Sequence, residues 1–362
     1  MQTIIVASAR RYSGKTGVCV SLIDELSRRG LDVGYFKPYG GMPTEIDGVV
    51  TDRDAAFING WLRRPSTVAD VCPIVRSRAF VEDLLAGRPI PGPADVVAAF
   101  ARVAEGRDVV VVEAPSDLEQ GAGAGVSATE IHQVLGGRIL LVENTNSAEA
   151  PDRVLRAAVI FGDAFAGVIH NRVTDPDHQL VESRIVPFLA ARGITSFGIL
   201  PHDPLLSSVT VREIVDELGG SVLCGEDHLD DLVESFMVGA MGQEKALRFF
   251  RRKARKAVVT GGDRADVQMA ALETSTAVLV LTGNMSPSPA VMGRACDLGV
   301  PMVLVGTDTL SAIEHLDLLF GHVRLHGPGK AERMRLMFTH AVALDPMLEA
   351  LGIAHPSDDR EL

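Results

Sequence analysis

Ala9-Arg10-Arg11-Tyr12-Ser13-Gly14-Lys15-Thr16 separates a short apolar run, Thr3–Ala7, from an amphipathic stretch, Lys15–Arg29. This junction decides the fold. Thr3–Ala7 has the β-branched, uninterrupted character of a buried strand. In Lys15–Arg29, Val18, Leu22, Ile23 and Leu26 fall near one face of a 3.6-residue helix. A loop ending Gly-Lys-Thr between such a strand and helix turns its N–H groups inward, and the helix adds the positive end of its dipole. Lys15 then reaches the β- and γ-phosphates of a nucleotide as a point charge, and the Thr16 hydroxyl ligates Mg²⁺. A solvated Lys-Thr at a helix start has the same tripeptide, but the place directly after an N-terminal strand favours a phosphate loop. The usual first glycine is Ala9 here, and Arg10 and Arg11 either touch phosphate or face solvent.

Outward from this loop, short apolar runs alternate with amphipathic segments. Asp32–Phe36, Asp108–Glu113, Arg138–Glu143, Gly167–His170 and Ser196–Leu200 read as strands. Pro93–Glu105, Ala150–Phe161 and Asp177–Arg192 read as helices. That alternation predicts an α/β fold, a P-loop doubly wound parallel sheet. Two prolines in Pro201–Leu206 interrupt the pattern, and a second, smaller α/β series begins beyond them. Its expected strands are Ser221–Cys224, Lys256–Thr260, Ala277–Leu281, Pro301–Val305 and His322–Leu325. Its expected helices are Val209–Leu218, Asp230–Val238, Asp263–Glu273, Pro287–Leu298 and Ser311–Phe320. The predicted divisions are residues 1–204, 205–325 and a helical C-terminal tail at 326–362, frayed over Pro356–Leu362.

A phosphate loop needs a metal partner. Glu113 closes a run of four valines, the topological place for such an acid, and Asp54 sits in Thr51-Asp52-Arg53-Asp54-Ala55 at an expected helix start. Both supply hard oxygen to Mg²⁺. The competing roles are helix capping for Asp52 and Asp54, and a solvated loop acid for Glu113. Lys37, directly after the second strand, lies at the carboxyl edge of the sheet, where open α/β sheets bind ligands. Asn171 comes just after a strand and either reads an adenine edge or makes a turn. Gly121–Gly125 is either a mobile substrate loop or a simple connection. The expected nucleotide-binding residues are thus Ser13, Gly14, Lys15, Thr16, Gly17 and Asn171. Thr16, Asp54 and Glu113 are expected at the metal, and Lys15 and Lys37 act on the phosphate that moves.

Composition narrows the class. The 362 residues carry a net charge of −12 and are 46% hydrophobic but only 5% aromatic, so the core is aliphatic, as in buried parallel sheets. An acidic chain is a poor nucleic-acid scaffold. The N-terminus lacks a signal-peptide pattern, and no run of about 18 apolar residues occurs, so neither membrane nor secretion is expected and the compartment is expected to be cytoplasmic. Cys19, Cys72, Cys224 and Cys296 have no CxxC spacing, which suggests neither a zinc site nor a redox dithiol. The basic run from Arg248 to Lys256 either meets an acidic partner or solvates a helix end.

The first half resembles the dethiobiotin synthetase family of P-loop proteins. The matching residues are the strand–GKT–helix unit, Val33-Gly34-Tyr35-Phe36-Lys37-Pro38, Asp54, the valine strand ending in Glu113, and Val168-Ile169-His170-Asn171-Arg172-Val173. The resemblance implies ATP and Mg²⁺. Lys15, Thr16 and Lys37 would handle phosphates, Asp54 and Glu113 would hold the metal, and Asn171 would face adenine. Arg10 and Tyr12 stand where that family usually has Asp and Glu. Glu113-Ala114-Pro115-Ser116-Asp117 replaces its glycine-rich turn. Nucleotide binding survives these departures better than ring-closing synthesis does.

The second half resembles the DRTGG domain, through Thr260-Gly261-Gly262-Asp263-Arg264-Ala265-Asp266-Val267-Gln268, Leu281-Thr282-Gly283-Asn284 and Pro287-Ser288-Pro289-Ala290-Val291. Thr210-Val211-Arg212-Glu213-Ile214 fits its opening. The order of the two halves resembles the N-terminal portion of long bacterial phosphotransacetylases, whose acetyl-transfer domain has no counterpart in residues 1–362. The resemblance implies a regulatory, ATP-binding homo-oligomer assembled through the DRTGG domain, open to a protein partner. The alternative is an ATP-dependent ligase or carboxylating synthetase.

Overall fold

The computed structural model describes residues 1–145, 149–321 and 329–353. The chain divides into two units, Met1–His202 together with the C-terminal helices, and Asp203–Arg324.

The first unit is built on six parallel strands: β1 (Gln2–Ala7), β2 (Val33–Phe36), β3 (Val109–Glu113), β4 (Arg138–Asn144), β5 (Phe165–Val173) and β6 (Ser196–Pro201). Their order is β6-β5-β4-β1-β3-β2. The chain moves from β1 to one edge and then returns to build the other, so β1 and β3 flank the reversal, and the crevice at their carboxyl ends is where ligands of such sheets bind. β3 is buried along its whole length, as its uninterrupted valines require. The helices around the sheet include α1 (Lys15–Arg28), α2 (Arg53–Trp61), α3 (Pro93–Ala104), α4 (Ala128–Leu135) and α5 (Ala150–Phe161). α4 starts on a capping box: Ser127 Oγ accepts from the Glu130 N–H, while the Glu130 carboxylate accepts from the Ser127 N–H. The expected helix Asp177–Arg192 is a continuous but irregular segment, α-helical at Asp175–Leu180 and Val186–Ala190 with a π turn over Val181–Ile185.

The second unit has the strands β7 (Ser221–Cys224), β8 (Ser235–Val238), β9 (Lys256–Gly261), β10 (Thr276–Thr282) and β11 (Met302–Leu304), in the order β7-β11-β10-β9-β8. β8 to β11 are parallel, and β7 is antiparallel on the edge. Its helices include α6 (Val211–Leu218), α7 (Gln243–Phe250), α8 (Ala265–Leu272), α9 (Pro289–Leu298) and α10 (Thr309–Gly321). One expectation is overturned here: Asp230–Val238 is not a helix. Leu232–Val233 and β8 occupy it. The acids Asp230 and Asp231 imitate a helix start. Ser235–Val238 nevertheless takes its backbone partners from Lys256–Val259 of β9, residue for residue, and is held extended by them. The strand expected at His322–Leu325 and the fraying expected at Pro356–Leu362 lie outside the described residues.

The C-terminal helices α11 (Lys330–Ala341) and α12 (Leu344–Ala350) pack on the first unit, α11 along α1 and beside β6. Phe338 and Met334 are buried there. The place of a Cβ on Gly17 would lie 3.2 Å from Met334 Sδ, so α11 closes directly over the start of α1. Among the described residues, no helix is long and apolar enough to cross a membrane.

Candidate functional site

The loop from Ala9 to Gly14 runs from the end of β1 to the start of α1. Gly14 has φ +86° and caps α1 with no side-chain hydrogen bond, and the first turn of the helix holds no acid. This leaves the positive helix end suited to an anion. Asn171, at the carboxyl end of β5, braces the loop: its Nδ2 donates to the Ser13 carbonyl at 2.8 Å, and its Oδ1 accepts from the Arg172 N–H at 2.9 Å. Ser13 is buried, with its hydroxyl donating to the Arg10 carbonyl at 2.8 Å. Arg11 pairs with Asp117 at 3.1 Å on the surface.

Lys15 is buried, and its ammonium donates to Ser8 Oγ at 2.6 Å and to the Ser116 carbonyl at 2.8 Å. Burial lowers its pKa to about 8, with Glu113 opposing the shift. Thr16, one residue on, donates from its hydroxyl to Glu113 Oε1 at 2.9 Å, and Tyr35 donates to Glu113 Oε2 at 2.8 Å. Glu113 thus stands between the loop and the neighbouring strand, where its place at the end of β3 puts it.

Lys37 lies across the same carboxylate. Its ammonium is 2.9 Å from Asp52 Oδ1, 3.6 Å from Glu113 Oε1 and 3.8 Å from Asp54 Oδ2. Burial works to lower the Lys37 pKa, but the three carboxylates outweigh it and hold the group well above its ordinary value. Asp52 also accepts from the N–H groups of Met42, Asp54 and Ala55, so it caps α2 while it pairs with Lys37. Burial raises its pKa, and the opposing charge and hydrogen bond of Lys37 leave it below the ordinary carboxylate value.

The structure therefore gathers Ser13, Gly14, Lys15, Thr16, Lys37, Asp54, Glu113 and Asn171 at one end of the sheet. Gly17 is turned instead towards α11. Sequence reasoning gave no site role to Ser8, Tyr35, Asp52 or Ser116. Tyr35 was within reach, since it shares a strand face with Lys37 two residues on. Asp52 ends the hairpin Pro43–Ile46 and Val49–Asp52, whose turn is Asp47-Gly48 with φ +51° and +79°. That dipeptide is a hairpin signal in its own right. Glu143, at the end of β4, was also passed over. Its Oε1 pairs with Arg153 at 2.7 Å, its buried Oε2 has no hydrogen-bond partner among the described residues, and burial raises its pKa.

The donors at Thr16 and Glu113 are hard oxygens, the kind Mg²⁺ takes. Among the described residues, no group of three or more His, Cys, Asp or Glu side chains is arranged to hold a metal by itself. Gly121 and Gly125, both at positive φ, bracket a single 3₁₀ turn at Ala122–Ala124.

The family model described as an AAA domain matches residues 2–210, more than half of the chain and the whole of this constellation. The chain belongs to the AAA domain family. Behind the AAA domain, the DRTGG domain model matches residues 213–319. Across both, the chain is 26% identical to the phosphate acetyltransferase of Pseudomonas putida over 352 residues, covering 92% of this chain and 49% of that one. It is also 26% identical to the phosphate acetyltransferase of Synechocystis sp. over 334 residues, covering 88% of this chain and 47% of that one. The chain spans about half the length of the curated relatives it matches. Among solved structures, the MinD cell division protein of Aquifex aeolicus is similar at 18% identity and a TM-score of 0.36, covering 57% of this chain and 84% of that one. The AAA domain and the DRTGG domain thus stand in the order that the two sequence resemblances implied.

Proposed function

We propose that the chain is an ATP- and Mg²⁺-binding regulatory protein that senses nucleotide or metabolite as a homo-oligomer. The single observation that carries this is the juxtaposition of Lys15, Thr16, Glu113 and Lys37 at the mouth of an uncapped helix. Lys15 leaves Ser8 and Ser116 to meet the β- and γ-phosphates. Thr16 and Glu113, with Asp54, hold the metal, which neutralises phosphate charge when bound. Lys37 adds positive charge where the terminal phosphate lies, and Asn171 keeps the loop in register while facing the base. The DRTGG domain supplies the contact between copies, and the acidic surface keeps nucleic acid away. A cytoplasmic location accords with this role.

Calorimetric titration with ATP–Mg²⁺ tests the proposal. Wild type is expected to bind, and Lys15→Ala to lose binding while staying folded. No binding by wild type overturns it. Binding with negligible turnover supports the regulator. Turnover that requires a diamine or a carboxylate replaces it with an ATP-dependent ligase of the dethiobiotin synthetase kind, a reading favoured by the burial of Lys37 among three carboxylates.

A further inference from the structure

The basic run that follows α7, Arg251-Arg252-Lys253-Ala254-Arg255-Lys256, has no part in the phosphate-loop site. It gathers cations on a chain whose net charge is −12. Residues 251–255 are exposed, and Lys256 is fully buried. The run leads into β9 beside a pocket of about 320 Å³ that opens to solvent, lined by Asp231, Leu232, Arg255, Ser275, Thr276 and Ala277. All of these lie in the second unit.

A β-bulge shapes this pocket. In the parallel pair β9–β10, Lys256 stands opposite Thr276 but Ala257 stands opposite Val278, so Ala277 is an extra residue. The slip cancels the alternation of side chains, and consecutive Thr276 and Ala277 both reach the pocket wall. Arg255 enters the wall at φ +46°, a left-handed conformation that a bulky residue rarely takes. Its N–H donates to Ser275 Oγ at 3.1 Å, which ties the two residues together. Its guanidinium is held loosely, with Nε 3.6 Å from Glu234 Oε1. The Ser275 hydroxyl proton has no acceptor among the described residues. Thr276, by contrast, donates to the Ala271 carbonyl at 2.7 Å and braces the wall.

Lys256 backs Ser275. Its ammonium donates to the Ser275 carbonyl and to Thr274 Oγ1, each at 2.9 Å, and no carboxylate pairs with it among the described residues. Burial lowers its pKa to about 8. A buried charge without a counter-charge is costly, and an anion held at Ser275 offsets that cost.

We propose that this pocket binds a small phosphomonoester. Arg255 and the Ser275 hydroxyl donate to the phosphate, and Lys256 adds positive charge behind them. A guanidinium and a hydroxyl backed by a lysine suit the double charge of a phosphate better than the single charge of a carboxylate. Asp231, in the same lining, accepts from a hydroxyl elsewhere on the ligand. The volume is at the low end of ligand pockets, which suits a phosphate on a short polyol and is too small for a dinucleotide. The exposed cations at 251–253 draw the anion in. The site rests on the sensing role proposed above only for its purpose, since its binding step does not involve the phosphate loop.

Calorimetric titration of the full chain with glycerol phosphate and, separately, with inorganic phosphate tests this. The expected result is one glycerol phosphate per chain, bound more tightly than inorganic phosphate. The same affinity is expected in the Lys15→Ala chain, whose phosphate loop is disabled. Arg255→Gln and Ser275→Ala are each expected to weaken binding about tenfold or more, with thermal denaturation verifying that each is folded. Arg255→Lys restores part of the loss through its charge. Asp231→Ala is expected to remove the preference for glycerol phosphate over inorganic phosphate. Absence of binding to wild type overturns the proposal. So does binding that neither Arg255→Gln nor Ser275→Ala weakens, or that Lys15→Ala abolishes, which would put the anion in the phosphate loop. Equal affinity of wild type for the two probes overturns it as well.

Discussion

Asn171 and Gly14 interlock: the amide of Asn171 occupies the space that a Cβ on Gly14 would need, and its Nδ2 donates to the Ser13 carbonyl. Gly14 also has φ +86°, which L side chains rarely adopt. Gly14→Ala is therefore expected to open the loop, through both strain and overlap, at a cost of about 1–3 kcal/mol. ATP affinity is expected to fall by more than tenfold. Thermal denaturation and calorimetric titration of the variant check both, and unchanged affinity would remove Asn171 from the loop's support.

Asp52→Ala is expected to destabilise the chain by about 3–5 kcal/mol, the usual cost of removing one partner from a buried pair. It strips Lys37 of its nearest carboxylate and α2 of its cap. The single tryptophan, Trp61, lies in α2 and reports the transition by fluorescence in a urea titration. A change under about 1 kcal/mol would mean that Glu113 and Asp54 suffice to hold Lys37.

His170 is fully buried between Thr145 Oγ1 at 2.9 Å and Ser196 Oγ at 2.9 Å, and burial lowers its pKa from 6.5 to about 4. The unfolded chain takes up this proton from about pH 6.5 downward, while the folded chain resists until about pH 4. Stability thus falls with pH across that window, by about 3 kcal/mol from this group. Chemical denaturation at pH 7.5, 5.5 and 4.5 is expected to show the slope, and His170→Gln to flatten it.

Phe338→Ala in α11 is expected to cost about 3–5 kcal/mol, as for an aromatic side chain removed from a core. Phe338 is 1% exposed. Gly198→Ala attacks the same seam from β6, where a Cβ would overlap the Ala341 carbonyl oxygen. Both variants are expected to lower Tm, and a Phe338→Ala protein with wild-type Tm would show that α11 is dispensable to the first unit.

The parallel strands were legible because they are buried on both faces, so Val109–Val112 and Leu140–Val142 appear as unbroken apolar runs. The phosphate loop was legible because its chemistry needs a fixed tripeptide at a fixed topological place. What escaped depends on contacts between distant residues. Nothing local in Asp52 says that it faces Lys37, since a hairpin in between turns it there. Tyr35 became a partner of Glu113 only once β2 lay beside β3. The false helix at Asp230–Val238 has the same origin: the neighbouring β9, not intrinsic preference, makes Ser235–Val238 extended.

The return of α11 and α12 to the first sheet has a consequence for how the protein is made. The stretch between β6 and α11 is an insertion within a domain whose last helices are translated only after it. On the ribosome, the six-stranded sheet emerges long before the helix that covers α1, so its final packing waits while the DRTGG domain is synthesised. The inserted domain draws its strands and helices from one continuous stretch and can collapse first. Nascent chains arrested before residue 330 are therefore expected to show a protease-resistant second half beside a first half that is still readily cut.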